Sequence, residues 1–199
     1  MTTLIISPHC DDEFISCGNL MSTCADDCKV VVLVSHGGGS EELPHIQGNA
    51  LATWREHESE RFCASIGVEK PTFLRLGYPF EIEHSGIVRY SDWVKRNAIN
   101  YNRIFVSHTQ DRHSDHKLAG VVAIEALQEV GWEGELWFYV TSIEAASHMP
   151  TPDWVHELTH EEYSIKLGWV SFYPSQKHFL PKWLPNHSWF RHERFFREG

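Results

Sequence analysis

Two apolar runs, "TLIIS" (3–7) and "KVVVLVSH" (29–36), constrain the fold of this chain more than any other feature. Neither run alternates apolar with polar residues, as a half-exposed antiparallel strand does. Near-continuous apolar strands are typical of parallel sheets that are covered on both faces. The intervening segment 12–25 has rough helical spacing, so the chain is predicted to begin with a β-α-β unit.

The same alternation continues along the chain. Further strands are predicted over 71–77, 103–108 and 134–141, and helices over 49–67, 91–99, 115–131 and 160–173. Helix 49–67 is expected to end at Gly67 and helix 91–99 to begin with Ser91 as its N-cap. This order predicts an α/β fold: a Rossmann-like, doubly wound, mostly parallel sheet with helices on both faces. We expect a single domain over 1–199, and we predict no element for 142–159 or beyond 178.

The charge and the cysteines exclude several classes of protein. A formal net charge of −10 argues against binding to nucleic-acid polymers or anionic membranes, since both require a basic surface. The odd number of cysteines, 5, without a CxxC spacing, does not fit a secreted disulfide framework. No apolar run reaches the roughly 18 residues of a membrane span, and the N-terminus has no signal-peptide pattern. We therefore expect a cytoplasmic protein with reduced thiols.

Two polar clusters follow predicted strands. "SPHCDDEFISCGN" (7–19) comes after the first strand, and "SHTQDRHSDHKLAG" (107–120) comes after the strand 103–108. Ligands of open α/β sheets bind beyond the carboxyl ends of the strands, near the switch in strand order. We therefore expect the two clusters to converge on one point.

Together the clusters contain the ligands of a metal site. His9 and Asp12 are three residues apart in a turn that leads into a helix, so both can face the same side. With His116 they form a set of two imidazoles and one carboxylate, which suits a catalytic zinc ion with one further position for water. We predict one Zn²⁺ per chain, or another divalent metal in its place.

Three neighbouring residues have predicted catalytic roles. Asp11 is placed to accept a proton from a metal-activated water. His113 is placed to act as an imidazolium that donates to a developing oxyanion or protonates a leaving nitrogen. Asp115 is expected to orient His113 through a hydrogen bond. The alternative is purely structural: Asp11 and Asp12 would be helix-capping acids, and 113–116 a capping segment of the next helix.

These residues resemble the two motifs of the LmbE-like, or PIG-L, family of zinc-dependent deacetylases. The first motif, PHPDDE, stands here as "PHCDDE" (8–13), and the second, HPDH, as "HSDH" (113–116). The resemblance implies that His9, Asp12 and His116 hold zinc. It also implies that Asp11 is the general base and that His113 assists the oxyanion and the leaving group.

Weaker similarities cover most of the remaining chain. "WREHESERFCASIG" is similar to the family's Arg-x-x-Glu helix, which implies that Arg55 contacts substrate; an ion pair on the helix surface is the alternative. "SHGGGS" looks like the family's glycine-containing loop. The late segment "KLGWVSFYPSQ" looks like its Lys…Tyr-x-Ser-Gln segment.

The sequence also departs from the family pattern. Cys10 and Ser114 replace the prolines of the two motifs, so both loops lose a residue that stiffens a turn. Cys10 is expected to fill the place of the proline, with metal contact or oxidation as the alternative. Pro79 and Phe80 stand where the family often has an aspartate, which predicts a difference in substrate recognition.

The expected function is zinc-dependent hydrolysis of an N-acyl group, most simply acetyl, on an amino sugar such as N-acetylglucosamine or on a sugar conjugate. The expected partner is thus a small N-acylated molecule. One alternative is a metal-dependent hydrolase of a non-sugar amide or a modified nucleoside. A non-enzymatic alternative is a Rossmann-like nucleotide-binding module, although GxGxxG is absent and acids occupy the first turn.

Overall fold

The structure, a computed structural model, describes residues 1–34, 45–77, 84–141, 149–176 and 188–197. Its strands are β1 (Thr3–His9), β2 (Cys28–Val34), β3 (Thr72–Phe73), β4 (Arg103–Ser107), β5 (Glu135–Tyr139), β6 (Trp154–Glu157) and β7 (His192–Arg197). Its α-helices are α1 (Asp12–Thr23), α2 (Gly48–Ser65), α3 (His84–Asn97), α4 (Ser114–Glu129) and α5 (His160–Trp169). The glycine loop 35–40 and Pro79–Phe80 lie outside the described residues.

These strands form one seven-stranded sheet in the order β3-β2-β1-β4-β5-β7-β6. The pairs β1–β2, β1–β4, β2–β3 and β4–β5 are parallel. The chain moves outward from β1 to β3 and then returns to the other side of β1 with β4. The direction of winding therefore reverses between β1 and β4, which confirms the doubly wound, mostly parallel prediction.

Each face of the sheet is covered by its own apolar core, as the continuous apolar strands indicated. In β1, Ile5 faces one core, whereas Leu4 and Ile6 face the other, and all three are buried. Residues of α1, α2 and α5 fill the first core, and residues of α3 and α4 fill the second. Between Thr3 and Ser7 in β1, and between Arg103 and Ser107 in β4, every side chain is apolar and buried. The polar clusters accordingly begin where β1 and β4 end.

Two strands were not foreseen from the sequence. β6 and β7 pair antiparallel with each other, and β7 pairs antiparallel with β5. In β6 only alternate residues are partly buried, with Val155 exposed, so its pattern differs from the apolar runs of the parallel strands. Because β6 is only four residues long and has charged residues beside it, the sequence pattern did not predict a strand here.

The helix predictions hold with one correction. α2 ends close to Gly67, whose φ of 80° is the left-handed conformation expected of a helix-terminating glycine. The N-cap prediction for Ser91 is wrong, because α3 begins at His84 and Ser91 lies inside it. Gly86, Tyr90 and Val94 are spaced four residues apart and form the buried face of this helix, which therefore extends on both sides of Ser91. Among the described residues, no helix combines the length and the apolar composition that a membrane crossing requires.

Gly120 allows α4 to approach β4 closely. A Cβ at this position would lie 2.5 Å from the Ser107 carbonyl oxygen and 3.1 Å from Thr109 Cγ2. The same contact area includes a hydrogen bond of 2.7 Å from Ser107 Oγ to the His116 carbonyl. The close approach therefore fixes the first turns of α4, which contain His116, against the end of β4.

We predict that Gly120→Ala lowers the free energy of unfolding by about 2 kcal/mol, because backbone atoms would have to move apart. The matched control is Gly168→Ala in α5, where nothing lies within 4 Å of the added carbon. Alanine has the higher helix propensity, so the control is expected to be neutral or slightly stabilising. Urea unfolding of both variants measures the difference, and equal effects would contradict the proposed close approach.

Candidate metal centre

The predicted ligands meet at the carboxyl ends of β1 and β4. His9 is the last residue of β1, Asp12 is the first of α1, and His116 lies in the first turn of α4. All three are buried. Because β1 and β4 are neighbouring parallel strands, their ends bring residues 107 positions apart in the sequence into contact. The two polar clusters thus converge at the switch in strand order.

Three donor atoms form a nearly equilateral triangle. His9 Nδ1 lies 3.3 Å from Asp12 Oδ2 and 3.2 Å from His116 Nε2, and His116 Nε2 lies 3.2 Å from Asp12 Oδ2. Tetrahedral zinc with bonds of about 2.0–2.1 Å separates neighbouring ligands by about 3.3–3.4 Å. The triangle has the spacing of one face of such a coordination shell, so these residues fit a zinc ion.

His113 completes a second grouping. The nearest ring nitrogens of His9, His113 and His116 all lie within 4.8 Å of one another. The His113 ring makes an edge contact with His9, with ring centroids 4.9 Å apart, and it is exposed whereas the other two are buried. The grouping that includes Asp12 is more compact, which favours Asp12 over His113 as the third ligand.

Carboxylates hold the outer nitrogens of both buried histidines. Asp115 Oδ2 lies 3.1 Å from His9 Nε2, and Asp111 Oδ2 lies 3.4 Å from His116 Nδ1. Thr141 Oγ1 is also 3.3 Å from His116 Nδ1. Such contacts select the tautomer of a metal-binding histidine and orient its ring. They leave His9 Nδ1 and His116 Nε2 directed at the triangle.

Two of these contacts differ from the sequence-based expectation. The carboxylate of Asp115 contacts His9 and not His113. Its backbone N–H donates instead to His113 Nδ1 at 3.3 Å, which makes His113 the N-cap of α4. The contact of Asp111 with these histidines was not predicted from the sequence, although a carboxylate two residues before His113 could have indicated it. Its Oδ1 accepts a hydrogen bond from the His113 N–H, so Asp111 braces both histidines of this loop.

The charges of the triangle compensate each other without a cation. Burial alone would lower the pKa of His116, but Asp12 and Asp111 raise it to about 10. Burial also lowers the pKa of His9, yet hydrogen bonds with Asp115 and Asp12 leave it raised. Burial raises the pKa of Asp12, but His116 and His9 hold it well below its usual value. The buried imidazoles and the Asp12 carboxylate thus stabilise each other's charged forms, and a metal that bound these nitrogens would release any proton on them.

Asp11 lies beside the triangle and has a different environment. Burial raises the pKa of its carboxyl to about 7, and the negative charge of Asp12 acts in the same direction. Arg55 opposes this effect: its Nη2 lies 3.4 Å from Asp11 Oδ2 and donates to the Cys10 carbonyl at 3.4 Å. Arg55 is itself buried, and its Nε has no hydrogen-bond partner among the described residues. It is therefore not the surface ion pair that the sequence left open.

Glu13 holds the loop between β1 and α1 in place, a role that the sequence did not indicate. Its fully buried carboxylate accepts hydrogen bonds from the backbone N–H of Asp11 at 2.9 Å and from Ser7 Oγ at 2.9 Å. It also accepts from Ser59 Oγ at 2.6 Å and from the Tyr173 hydroxyl at 2.8 Å. One side chain thus links the loop to α2 and to the late segment of the chain.

Cys10 belongs to the core. Its side chain is fully buried in the cluster that includes Phe14, and burial raises the pKa of its thiol well above the usual value. A neutral, buried thiol is a small apolar group in this setting. The structure therefore favours the interpretation that Cys10 fills the place of the family's proline.

Comparisons with known proteins agree with this architecture. The family model described as PIG-L, GlcNAc-PI de-N-acetylase, matches residues 4–127, which include both polar clusters. No curated protein matches the sequence significantly.

Solved structures with the same fold include an N,N'-diacetylchitobiose deacetylase from Pyrococcus horikoshii. It has a TM-score of 0.73 and 19% identity, with 98% of this chain and 82% of that chain covered. The conserved protein TT1542 from Thermus thermophilus has a TM-score of 0.69 and 18% identity, with 100% and 95% covered. A 4-carboxy-2-hydroxymuconate hydratase from Pseudomonas putida has a TM-score of 0.64 and 17% identity, with 89% and 81% covered. At these identities the likeness establishes the fold alone.

We predict that His116→Ala lowers zinc affinity by more than about a hundredfold, because one corner of the donor triangle is lost. His113→Ala is expected to retain zinc if Asp12 is the third ligand. His57→Ala, on the exposed surface of α2, is the control for loss of a histidine in general. Elemental analysis after gel filtration measures the zinc content. Equal loss of zinc in His113→Ala and His116→Ala would support the three-histidine grouping instead.

Glu13→Ala is expected to lower the free energy of unfolding by about 3 kcal/mol, since it leaves several buried donors without an acceptor. Glu13→Gln should lower the free energy of unfolding by less. The hydroxyls of Ser59 and Tyr173 can rotate to accept hydrogen bonds from the new amide N–H₂ group, and the amide oxygen can still accept from the Asp11 N–H. Chemical unfolding of the two variants tests this order. If Glu13→Ala and Glu13→Gln both change the free energy of unfolding only slightly, the hydrogen bonds of Glu13 do not stabilise the fold.

Proposed function

The chain belongs to the PIG-L family, and we propose that it is a zinc-dependent hydrolase that removes an N-acetyl group from an amino sugar or a sugar conjugate. The observation that carries this proposal is the compact triangle of His9, Asp12 and His116 with a separate carboxylate, Asp11, beside it. Amide hydrolysis at a metal needs both parts: donors that hold the cation and a base that is not consumed as a ligand.

The proposed ligands are His9, Asp12 and His116. Bound zinc supplies Lewis-acid polarisation of the amide carbonyl and lowers the pKa of the attacking water. The protein supplies ring orientation through Asp115 and Asp111, and it excludes bulk water from the buried donors. Another divalent metal with a preference for nitrogen and oxygen ligands would suit the same donors.

Asp11 is the proposed general base. A base works best when its pKa is close to the working pH, and burial raises the pKa of Asp11 to about 7. Arg55 favours the ionised form, and a neighbouring divalent cation would favour it further. Asp11 accepts the proton of the attacking water and delivers it to the nitrogen that leaves as an amine. Arg55 supports this step through its contact with Asp11, and its role as a substrate contact is part of the same proposal.

His113 is the proposed oxyanion donor, in the neutral form and not as the imidazolium expected from the sequence. Partial loss of solvent around the ring lowers the pKa of His113, and charge on His116 and His9 lowers it further. Since Nδ1 accepts from the Asp115 N–H, the neutral ring carries its proton on Nε2. This N–H is available to donate a hydrogen bond to negative charge on the carbonyl oxygen.

The alternatives are weaker at this site. A nucleotide-binding module needs backbone N–H groups or cations for a pyrophosphate at the first βα turn. This turn contains three adjacent carboxylates instead, Asp11, Asp12 and Glu13. Hydrolysis of a non-sugar amide or a modified nucleoside would use the same catalytic groups, so substrate profiling must separate these enzymes.

The direct experiment measures free-amine release from a panel of small acetylated compounds, with and without a chelator. The panel contains N-acetylglucosamine, diacetylchitobiose, a glycolipid-like N-acetylglucosaminide, N-acetyl amino acids and acetylated nucleosides. The proposal predicts chelator-sensitive amine release from the sugar compounds. Activity confined to amino acids or nucleosides would overturn the sugar assignment, and chelator-insensitive activity would overturn the metal assignment.

Asp11→Ala is expected to lower kcat by about 10²- to 10⁴-fold while zinc remains bound, because the base is lost but the donor triangle is intact. Steady-state kinetics and elemental analysis of the same preparation test both parts. A fully active variant would mean that the proton acceptor lies elsewhere.

A further inference from the structure

One tryptophan of α2, Trp54, exposes its ring to solvent. Among the residues whose burial the structure describes, several large apolar side chains are exposed, and Trp54 is the only aromatic one of them. Because 42% of its surface remains accessible, the ring presents a large apolar area to water, which is unfavourable unless a ligand or partner covers it. The hydrolysis proposed above gives this ring no role.

Trp54 lies in the part of α2 that borders the metal centre. The next residue, Arg55, reaches Asp11 Oδ2 with its Nη2 at 3.4 Å. One turn further, Ser59 Oγ donates to Glu13 at 2.6 Å. Consecutive Cα atoms are about 3.8 Å apart, so the Trp54 backbone lies one residue beyond an arginine whose side chain contacts the proposed base. The exposed ring is therefore a neighbour of the site and not a remote surface feature.

A buried carboxylate holds the Trp54 ring in place. The indole N–H donates to Glu58 Oε1 at 2.9 Å, one turn along α2. Glu58 is itself only 2% exposed, and it accepts hydrogen bonds from the Ser175 N–H at 2.7 Å and from Ser175 Oγ at 2.5 Å. The polar N–H of the indole is thus satisfied within the protein, so the ring offers a ligand its apolar face. A side chain that is already held loses little conformational entropy when a ligand binds.

The late segment of the chain packs along α2 up to the position of Trp54. The guanidinium of Arg61 lies over the Phe172 ring, with its carbon 5.5 Å from the ring centroid, and Ser175 contacts Glu58. As this segment proceeds from Phe172 to Ser175, its contacts therefore move towards the start of α2. Trp54 is the next position on this side of the helix. Its exposure shows that the segment does not cover it, so the ring borders this contact and is open to a ligand.

The chemistry of a sugar ring fits such a surface. A pyranose with equatorial hydroxyl groups, as in glucosamine, presents axial C–H groups on its faces. These groups carry slight positive charge and pack favourably against the negative face of an aromatic ring. The acetylated sugar itself must reach the proposed metal ligands and Asp11. Because the Arg55 side chain lies between Asp11 and the backbone at Trp54, a ring that stacks on Trp54 is a second one, joined to the first.

We propose that Trp54 is a specificity-determining residue that stacks on a second sugar ring, linked to the N-acetylated sugar that reacts at the metal centre. This inference rests on the proposed deacetylase function and narrows the substrate class to conjugates of at least two rings. The acetamido group of the first ring lies at the metal ligands, and the second ring packs its C–H face on the indole. A monosaccharide lacks this contact and binds less tightly.

A ratio of kinetic constants tests the proposal. The wild type should show kcat/KM about tenfold higher for N,N'-diacetylchitobiose than for N-acetylglucosamine, since a single aromatic contact contributes about a tenfold change in affinity. Trp54→Ala should lower this ratio about tenfold, through a higher KM for the disaccharide. Ile165→Ala removes an exposed apolar side chain from α5 as the control and should keep the wild-type ratio. A purely structural role of Trp54 would lower both kcat/KM values equally and leave the ratio unchanged, which would contradict the proposal.

Two further variants separate the ring of Trp54 from its N–H group. Trp54→Phe keeps an aromatic face but loses the donor, whereas Trp54→Gln keeps a donor for Glu58 four residues along the helix but loses the ring. Stacking predicts that Trp54→Phe retains most of the preference for the disaccharide and that Trp54→Gln loses it. The opposite order would mean that Trp54 acts by holding Glu58, and it would overturn the proposal. Circular dichroism of each variant confirms folding.

A binding experiment distinguishes failure of this inference from failure of the proposed hydrolysis. Cellobiose has two sugar rings and no amide, so its binding does not depend on turnover. In the nitrogen–proton NMR spectrum of the zinc-loaded protein, the indole signal of Trp54 is identified by its absence from Trp54→Phe, and it should shift when cellobiose is added. A shift without any amine release would leave the sugar contact in place and overturn the hydrolase. Chelator-sensitive amine release with no shift and no disaccharide preference would overturn the contact alone.

Discussion

The parallel pairing of β1 with β4 is the constraint on which the candidate site depends. Thr3, Leu4 and Ile5 of β1 lie opposite Arg103, Ile104 and Phe105 of β4, so the two strands run in register towards the same edge. In the middle of both strands, residues 4–6 and 104–106, every side chain is apolar and buried. The polar residues that follow them are therefore forced to the carboxyl edge. There, His9 and Asp12 meet His116 across the switch in strand order.

Buried groups of opposite charge lie in contact at this edge of the sheet. Isolated carboxylates and imidazolium groups are unfavourable in a protein interior. Here they occur in pairs: Asp12 with His9 and His116, and Asp111 with His116. Pairing lowers the pKa of Asp12 and raises that of His116, because each charge is stabilised by the other. Asp115 and Asp111 contact the outer nitrogens of the two histidines and orient the rings.

The two ends of α1 lie in different chemical environments. Its first turn contains Asp12 and Glu13, which hold the loop at the carboxyl edge of the sheet, and its last turn leads into Cys24, whose thiol donates to the Leu20 carbonyl. The helix has 12 residues and thus spans about 18 Å.

The sequence alone was sufficient for the doubly wound fold and for the convergence of His9, Asp12 and His116, because apolar periodicity and strand-end position are local signals. It was not sufficient for Glu13, Asp111 or the true partner of Asp115. Their roles depend on which side chains the packing of α2, α4 and the late segment brings within hydrogen-bonding distance. The antiparallel strands β6 and β7 were not predicted either, since β6 is short and partly exposed and β7 is defined by its pairing with β5 and β6. Sequence determined which chemical groups stand at the strand ends. Tertiary structure decided which of them touch, because hydrogen bonds between distant residues follow from three-dimensional packing and not from spacing along the chain.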